Sequence, residues 1–403
     1  MVLLVFFMPL LPIALPSIIV LLLFSFLTGV IMNTSGFRNI SLRKTWPLLL
    51  YFILLASSLL YTQNTPQGLR ATEVKLGFIL FPFVLLPYSY KPILNKLFKV
   101  FIFACMLSFG IGLIVASARF LSEIYTDYRY LGTEKAGIQL YLSSFLSVFL
   151  HPSYLSMYCN FALFLLIYYS HRNNNSIFKQ KTTGIFIVLL CLHSLMLMSK
   201  AGWLITGGLL IYYTIIKLQS TQYKWVLISW SVGLVLFGSV FYLVPGMKER
   251  AQSAVLVVRS GAQSETDSNA IRVLIWQQCV ELIKEHPYTG VGIGDVNAAL
   301  KEKYIERGLW TAIERNYNAH SQFLQNQLSG GIVASVSLLL IFVISIIKSE
   351  KKAIMIFLCI LLFSNLLVES MFETQAGTVF ASFFLSLLLI ISTPKPIIDE
   401  RKP

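Results

Sequence analysis

Charge is scarce in this sequence: Asp, Glu, Lys and Arg make up 12% of its 403 residues, against about a quarter in an ordinary soluble domain. That shortage excludes water as the main solvent. The 56% hydrophobic composition and mean hydropathy of +0.72 say the same. Cysteines are few and scattered: Cys105, Cys159, Cys191 and Cys359 lie inside apolar runs and Cys279 stands alone in a long polar stretch. Neither a disulfide framework nor a CxxC metal site is available from that pattern. No short-period repeat runs through the chain, and no low-complexity tract exceeds Asn173-Asn174-Asn175, so repeat architectures are excluded. Residues 1–8 lack both a basic n-region and an A-x-A-like cleavage site, so the first apolar stretch is expected to be a retained span.

What the sequence has is apolar runs long enough, or nearly so, to cross a bilayer. They fall at about 1–15, 16–32, 47–62, 76–90, 97–117, 153–170, 183–198, 202–217, 225–245, 323–347, 353–368 and 376–392. The expected fold is therefore an all-α integral membrane protein with about twelve transmembrane helices. Residues 1–245 form the first nine, 246–322 a large helical loop domain, 323–392 the last three, and 393–403 a tail. The short loops sort by charge. Arg38, Arg43, Lys44, Lys91, Lys96 and Lys99, then Arg172, Lys179, Lys181, Lys217 and Lys224, then Lys348, Lys351, Lys352 and the tail with Lys395, Arg401 and Lys402 fall on one side, which the positive-inside rule makes cytoplasmic. Both termini are then cytoplasmic and the large loop lies on the outer side. The net charge of +14 reports membrane orientation, not nucleic acid.

A loop of this length far exceeds what joins two helices, and such loops are usually functional. Its interior has helical periodicity: residues 271–285 place Ile271, Leu274, Ile275, Leu282 and Ile283 on one face before His286-Pro287 ends the helix. Gly290, Gly292 and Gly294 make a turn, and Asp295 is placed to cap a second helix running to about residue 306. The glycine turn before a helix has the form of a phosphate-cradling nest. It follows a helix and not a strand, so a dinucleotide fold is excluded, and a plain helix–turn–helix stands as the alternative.

Three residues carry candidate chemistry. Arg272 lies one residue into the loop helix with Trp276 one turn later on the same face, which suits an anion beside a sugar or apolar surface; the plain alternative is a surface arginine neutralised by Asp267. Lys200, in Met198-Ser199-Lys200-Ala201-Gly202, puts an ammonium at the outer end of two spans, as a phosphate contact or as a snorkelling anchor. His320 falls in Asn318-Ala319-His320-Ser321-Gln322 where the chain re-enters the membrane, with Asn318 as the expected cap. A helix N-terminus disfavours the imidazolium, which suits a base. Gln322, Asn326 and Ser329 continue as a polar stripe, and such a stripe in a span faces the bundle interior or a cavity.

The block IRVLIWQQCVELIKEHPYTGVGIGD after about nine spans, followed by NAHSQFLQ at the re-entry, resembles the O-antigen ligase and O-antigen polymerase superfamily, and the ligase most closely. The resemblance runs from about residue 149 to 377, through His151-Pro152-Ser153, Ser199-Lys200, Arg272, Trp276, the glycine turn, Asn318, His320 and Glu369. It implies a periplasmic, metal-independent, inverting glycosyltransferase without a cofactor. The donor would be a glycan on undecaprenyl diphosphate and the acceptor a hydroxyl, on lipid A core for a ligase. In that pattern His320 is the base, Arg272 and Lys200 hold the diphosphate, and Trp276, Asn318, Gln322, Gly292, Gly294 and Glu369 support them. The family pattern has arginine where this sequence has Lys200, which keeps the charge and loses the planar fork. A polymerase of lipid-linked repeats and a protein O-oligosaccharyltransferase share the same donor chemistry. A flippase is the more remote alternative, since it needs ionisable residues near the bilayer midplane and most charges here lie at span ends.

Overall fold

The computed structural model describes residues 1–32, 42–86, 93–126, 140–171, 177–218, 238 and 269–391, and every regular element among them is helical. The first part of the chain forms α1 (Val2–Phe7), α2 (Leu15–Ile31), α3 (Trp46–Ser57), α4 (Thr65–Val74), α5 (Gly77–Val84), α6 (Leu94–Thr126), α7 (Ser143–Leu146), α8 (Pro152–Ser170), α9 (Gln180–Met196) and α10 (Lys200–Leu218). The large loop contributes α11 (Ala270–Glu285), α12 (Val296–Arg307) and α13 (Trp310–Glu314). The chain then closes with α14 (Gln322–Lys348), α15 (Lys352–Val368) and α16 (Gln375–Ile390).

Apolar helices whose backbone groups bond internally are what a bilayer tolerates. Pro12–Ile31, Leu94–Ser122 and Gln322–Lys348 are long and apolar enough to cross one, and shorter apolar helices surround them. Val20, Leu21, Phe24 and Ile31 of α2 stand exposed, a surface that water would penalise and lipid does not. The bundle centre is α16, buried from Ala376 to Ile390, with α8 beside it. Phe380 and Phe384 of α16 interlock there with Phe101 of α6 and Phe161 of α8, at ring separations of 4.9–6.0 Å. The loop helices have an apolar core of their own, Ile275, Cys279 and Leu282 of α11 meeting Val296, Leu300 and Tyr304 of α12.

Three expected spans take a different form. Residues 1–15 are the six-residue α1 and a 3-10 turn at Pro12–Ala14, because Pro9 and Pro12 each remove a backbone donor and crowd the preceding turn. The run at 76–90 gives an eight-residue helix, α5, with Pro82 inside it. The run at 323–347 is helical but broken, with Gly330 at φ −146° and Gly331 at φ +68°. A β-carbon on Gly331 would collide with the Tyr288 carbonyl, so the break admits the 287–291 segment of the loop. Leu328 O, which the break frees, accepts from Val291 N at 2.7 Å, and the Gln327 side chain ties the loop down by donating through Nε2 to Pro287 O at 2.7 Å. The expected span at 225–245 lies outside the described residues, as does the first part of the loop.

The glycine turn docks the loop onto the bundle. Ile293 N and Gly294 N donate to the hydroxyls of Ser58 and Thr62 at 3.2 and 2.9 Å, so those N–H groups are spent on the end of α3 and the turn after it, not presented as an anion nest. Asp295 occupies the N-cap position of α12 without capping it. Its carboxylate instead accepts from Gln63 N and Asn64 N at 2.7 and 2.8 Å, the two amides left open where the chain turns into α4. At the far end of the bundle Lys44 meets Glu350 at 3.0 Å, pairing two segments that charge distribution assigns to the same side. Glu350 precedes α15 and Glu369 follows it, so the basic loops and Glu369 lie at opposite ends of that helix.

Candidate functional site

Four helices begin at one end of the bundle around Glu369. Lys200 is the first residue of α10, and its ammonium donates to the Oδ1 of Asn269, the N-cap residue of α11. Arg272 sits in the first turn of α11, where Nη1 donates to Val368 O at 2.7 Å and Nη2 to Glu369 Oε2 at 3.1 Å. His320 lies two residues before α14, with Nδ1 3.4 Å from Glu369 Oε1, an ion-pair distance without an aligned hydrogen bond. Burial holds the imidazole of His151, the N-cap residue of α8, below its usual range, with smaller effects from Glu369, Arg272 and His320. Helix N-termini carry partial positive charge, and two of these place a cationic side chain in the first turn, an arrangement that suits an anion.

His320 adopts φ +46°, in the left-handed region that is costly outside glycine. Two contacts hold it there. Asn318 Oδ1 accepts from His320 N at 3.0 Å, and the Tyr317 ring packs edge-on at 4.8 Å between centroids. Asn318 was the expected cap of the re-entry helix; Ser321 takes that position without a side-chain bond, and Asn318 closes the tight turn that aims the histidine. Gln322, just below, is fully buried and donates through Nε2 to Asn326 Oδ1 at 2.9 Å and Glu373 Oε1 at 3.2 Å. Trp276 packs on the loop core with its indole nitrogen buried and without a hydrogen-bond partner among the described residues. Gly292 and Gly294 are not brought to His320; they serve the docking turn.

Sequence reasoning singled out Glu369, quoted His151 in the resemblance without giving it a role, and missed Lys75. His151 belongs to the cluster, and its signal was a histidine directly before Pro152, where a helix starts. Lys75 is 1% exposed and pairs with Glu373 at 2.9 Å, which separates the two loop carboxylates between different cations. Among the described residues no three His, Cys, Asp or Glu side chains gather as a metal site.

Burial by itself would raise the Glu369 carboxyl, but His320, Arg272 and His151 more than offset it and hold it below the usual range. A carboxyl lowered on folding adds stability that is present above its unfolded value and disappears as pH falls through the folded one. The detergent-solubilised protein and Glu369→Gln should therefore differ most in thermal midpoint at neutral pH, with the gap closing as pH drops below the carboxylate range. A gap that is constant from pH 7 to the acid limit would show that Glu369 is not held by these cations.

The fold and this end of the bundle define a helical membrane protein in which Arg272 and a histidine meet on one carboxylate, with Lys200 at the N-cap of the Arg272 helix. Residues 185–339, from α9 through the loop helices into α14, match the family model described as O-antigen ligase, and they contain Lys200, Arg272 and His320. The match agrees with the superfamily resemblance of the sequence blocks and supports a function of the lipid-linked glycan ligase or polymerase type. No curated protein matches the chain.

Proposed function

We propose that the chain is a periplasm-facing glycosyltransferase of the bacterial inner membrane. It moves a glycan from undecaprenyl diphosphate to an acceptor hydroxyl with inversion, lipid A core being the acceptor of a ligase. The observation that carries this reading is the meeting of Arg272 and His320 on the two oxygens of Glu369, at the helix end that Lys200 also reaches. With the carboxylate at Nδ1, the imidazole is oriented so that Nε2 is the nitrogen left for an acceptor. The acceptor O–H gives its proton to His320, its oxygen forms the new bond to the anomeric carbon, and the glycosyl–phosphate bond breaks. The diphosphate leaves as an anion and needs no proton donor. Arg272 and Lys200 supply positive charge where its charge develops, the part a metal ion would otherwise play.

The test is incubation of the purified protein with synthetic undecaprenyl-diphosphate glycan, a lipid A core acceptor and excess EDTA. Glycan on the core, with inverted anomeric configuration, is expected. Chain growth on the lipid-linked donor alone would make the enzyme a polymerase. Transfer abolished by EDTA and restored by magnesium or manganese would overturn the metal-free mechanism.

A further inference from the structure

Beneath the Arg272–Glu369–His320 cluster lies a second charge pair that the transfer chemistry does not use. Lys75, at the C-terminal end of α4, is almost wholly enclosed, yet long cations are rarely buried without a specific partner. Its ammonium meets Glu373 Oε1 at 2.9 Å and Ala71 O at 3.3 Å. The same carboxylate oxygen accepts from Gln322 Nε2 at 3.2 Å, and Gln322 Oε1 accepts from Phe372 N at 2.7 Å. Gln322 follows His320 by two residues, and Glu373 closes the 3-10 turn Met371–Glu373 that begins two residues after Glu369. One short segment thus carries both acids. Its outer one faces Arg272 and His320, and its inner one is clamped by Lys75 and the start of α14.

We infer that Lys75 is a positioning residue for transfer: by pairing with Glu373 it fixes the 370–373 turn, and so sets where the Glu369 carboxylate stands against His320 and Arg272. At 1% exposure the ammonium has no route to a donor phosphate, so its effect passes through Glu373. Removing one member of a buried pair leaves the other uncompensated, whereas replacing both with neutral groups is far better tolerated. That asymmetry separates a positioning role from direct substrate binding. The inference rests on the transfer reading above.

The experiment compares the full-length wild type, Lys75→Met and Lys75→Met/Glu373→Gln, each checked for membrane insertion and monodispersity. Two readouts are taken: steady-state transfer from an undecaprenyl-diphosphate glycan, and the rate of His320 carbethoxylation by diethyl pyrocarbonate at pH 7, located by peptide mass spectrometry. Lys75→Met should lower kcat by about ten- to a hundredfold, as misplacement of a reacting group does, with the donor KM nearly unchanged. His320 should be modified several-fold faster in that variant. The double variant should recover most of both. Wild-type behaviour of Lys75→Met in both readouts overturns the inference, and so does a double variant that stays as impaired as the single one with a raised donor KM. If the wild type transfers nothing, the transfer reading fails on its own, and the carbethoxylation rates still decide whether Lys75 positions the histidine turn.

Discussion

His320→Ala is expected to insert normally and bind the lipid-linked donor while transfer falls by about 10²–10⁴-fold, the usual contribution of a positioned general base. The expectation comes from what surrounds the ring. Asn318 and Tyr317 hold a backbone turn that histidine adopts at a cost, and Glu369 faces Nδ1. Local strain of this kind persists only where neighbouring contacts enforce it. His320→Gln is the informative companion, since it keeps a polar side chain of similar reach and cannot take the acceptor proton. Both variants should keep donor binding, measured with a fluorescent polyprenyl-diphosphate analogue, and both should lose turnover. His320→Gln retaining near wild-type kcat would remove the base assignment. Equal loss of binding and turnover would make the histidine a structural member of the cluster.

Much of this end of the molecule was legible in the sequence because it is local. The apolar spacing of residues 271–285 predicts α11 to within a residue, and the Gln322, Asn326 and Ser329 stripe is buried as a polar stripe in a span should be. The pairings were not legible. Glu369 lies 97 residues from Arg272, and nothing in the intervening sequence records that the end of α15 packs beside the start of α11. Asp295 has the residue type and position of a helix cap, and Asn318 has the type but lies ahead of the Ser321 N-cap; both are used for a competing docking or local contact, and the caps are left without side-chain bonds. The Gly330-Gly331 break was overridden by the hydropathy of the run around it. Only the approach of Tyr288 gives those glycines their purpose.

The two cations should respond differently to conservative replacement. Arg272 has both ends of its fork engaged, one on Val368 O and one on Glu369, and its side chain is still 31% exposed. Lysine at 272 keeps the charge but cannot span a carbonyl, a carboxylate and a phosphate from one planar group. Arg272→Lys should therefore lose much of the donor affinity and also loosen Glu369, so that KM rises and kcat falls together. A charge-assisted contact is worth roughly 1.5–3 kcal/mol, which makes Arg272→Ala a loss of about ten- to more than a hundredfold in kcat/KM. At Lys200 the ammonium acts as a point charge at the head of α10, beside Asn269, so Lys200→Arg should keep most activity. Lys200→Ala should raise the donor KM by about tenfold or more on the same energetic scale. The comparison needs one lipid-linked donor, four variants and an insertion check for each. Wild-type kinetics in Lys200→Ala would return that residue to the role of a membrane-surface anchor joined to Asn269. Full activity in Arg272→Lys would show that charge alone suffices at α11, and that the fork serves Glu369 and Val368, not the diphosphate.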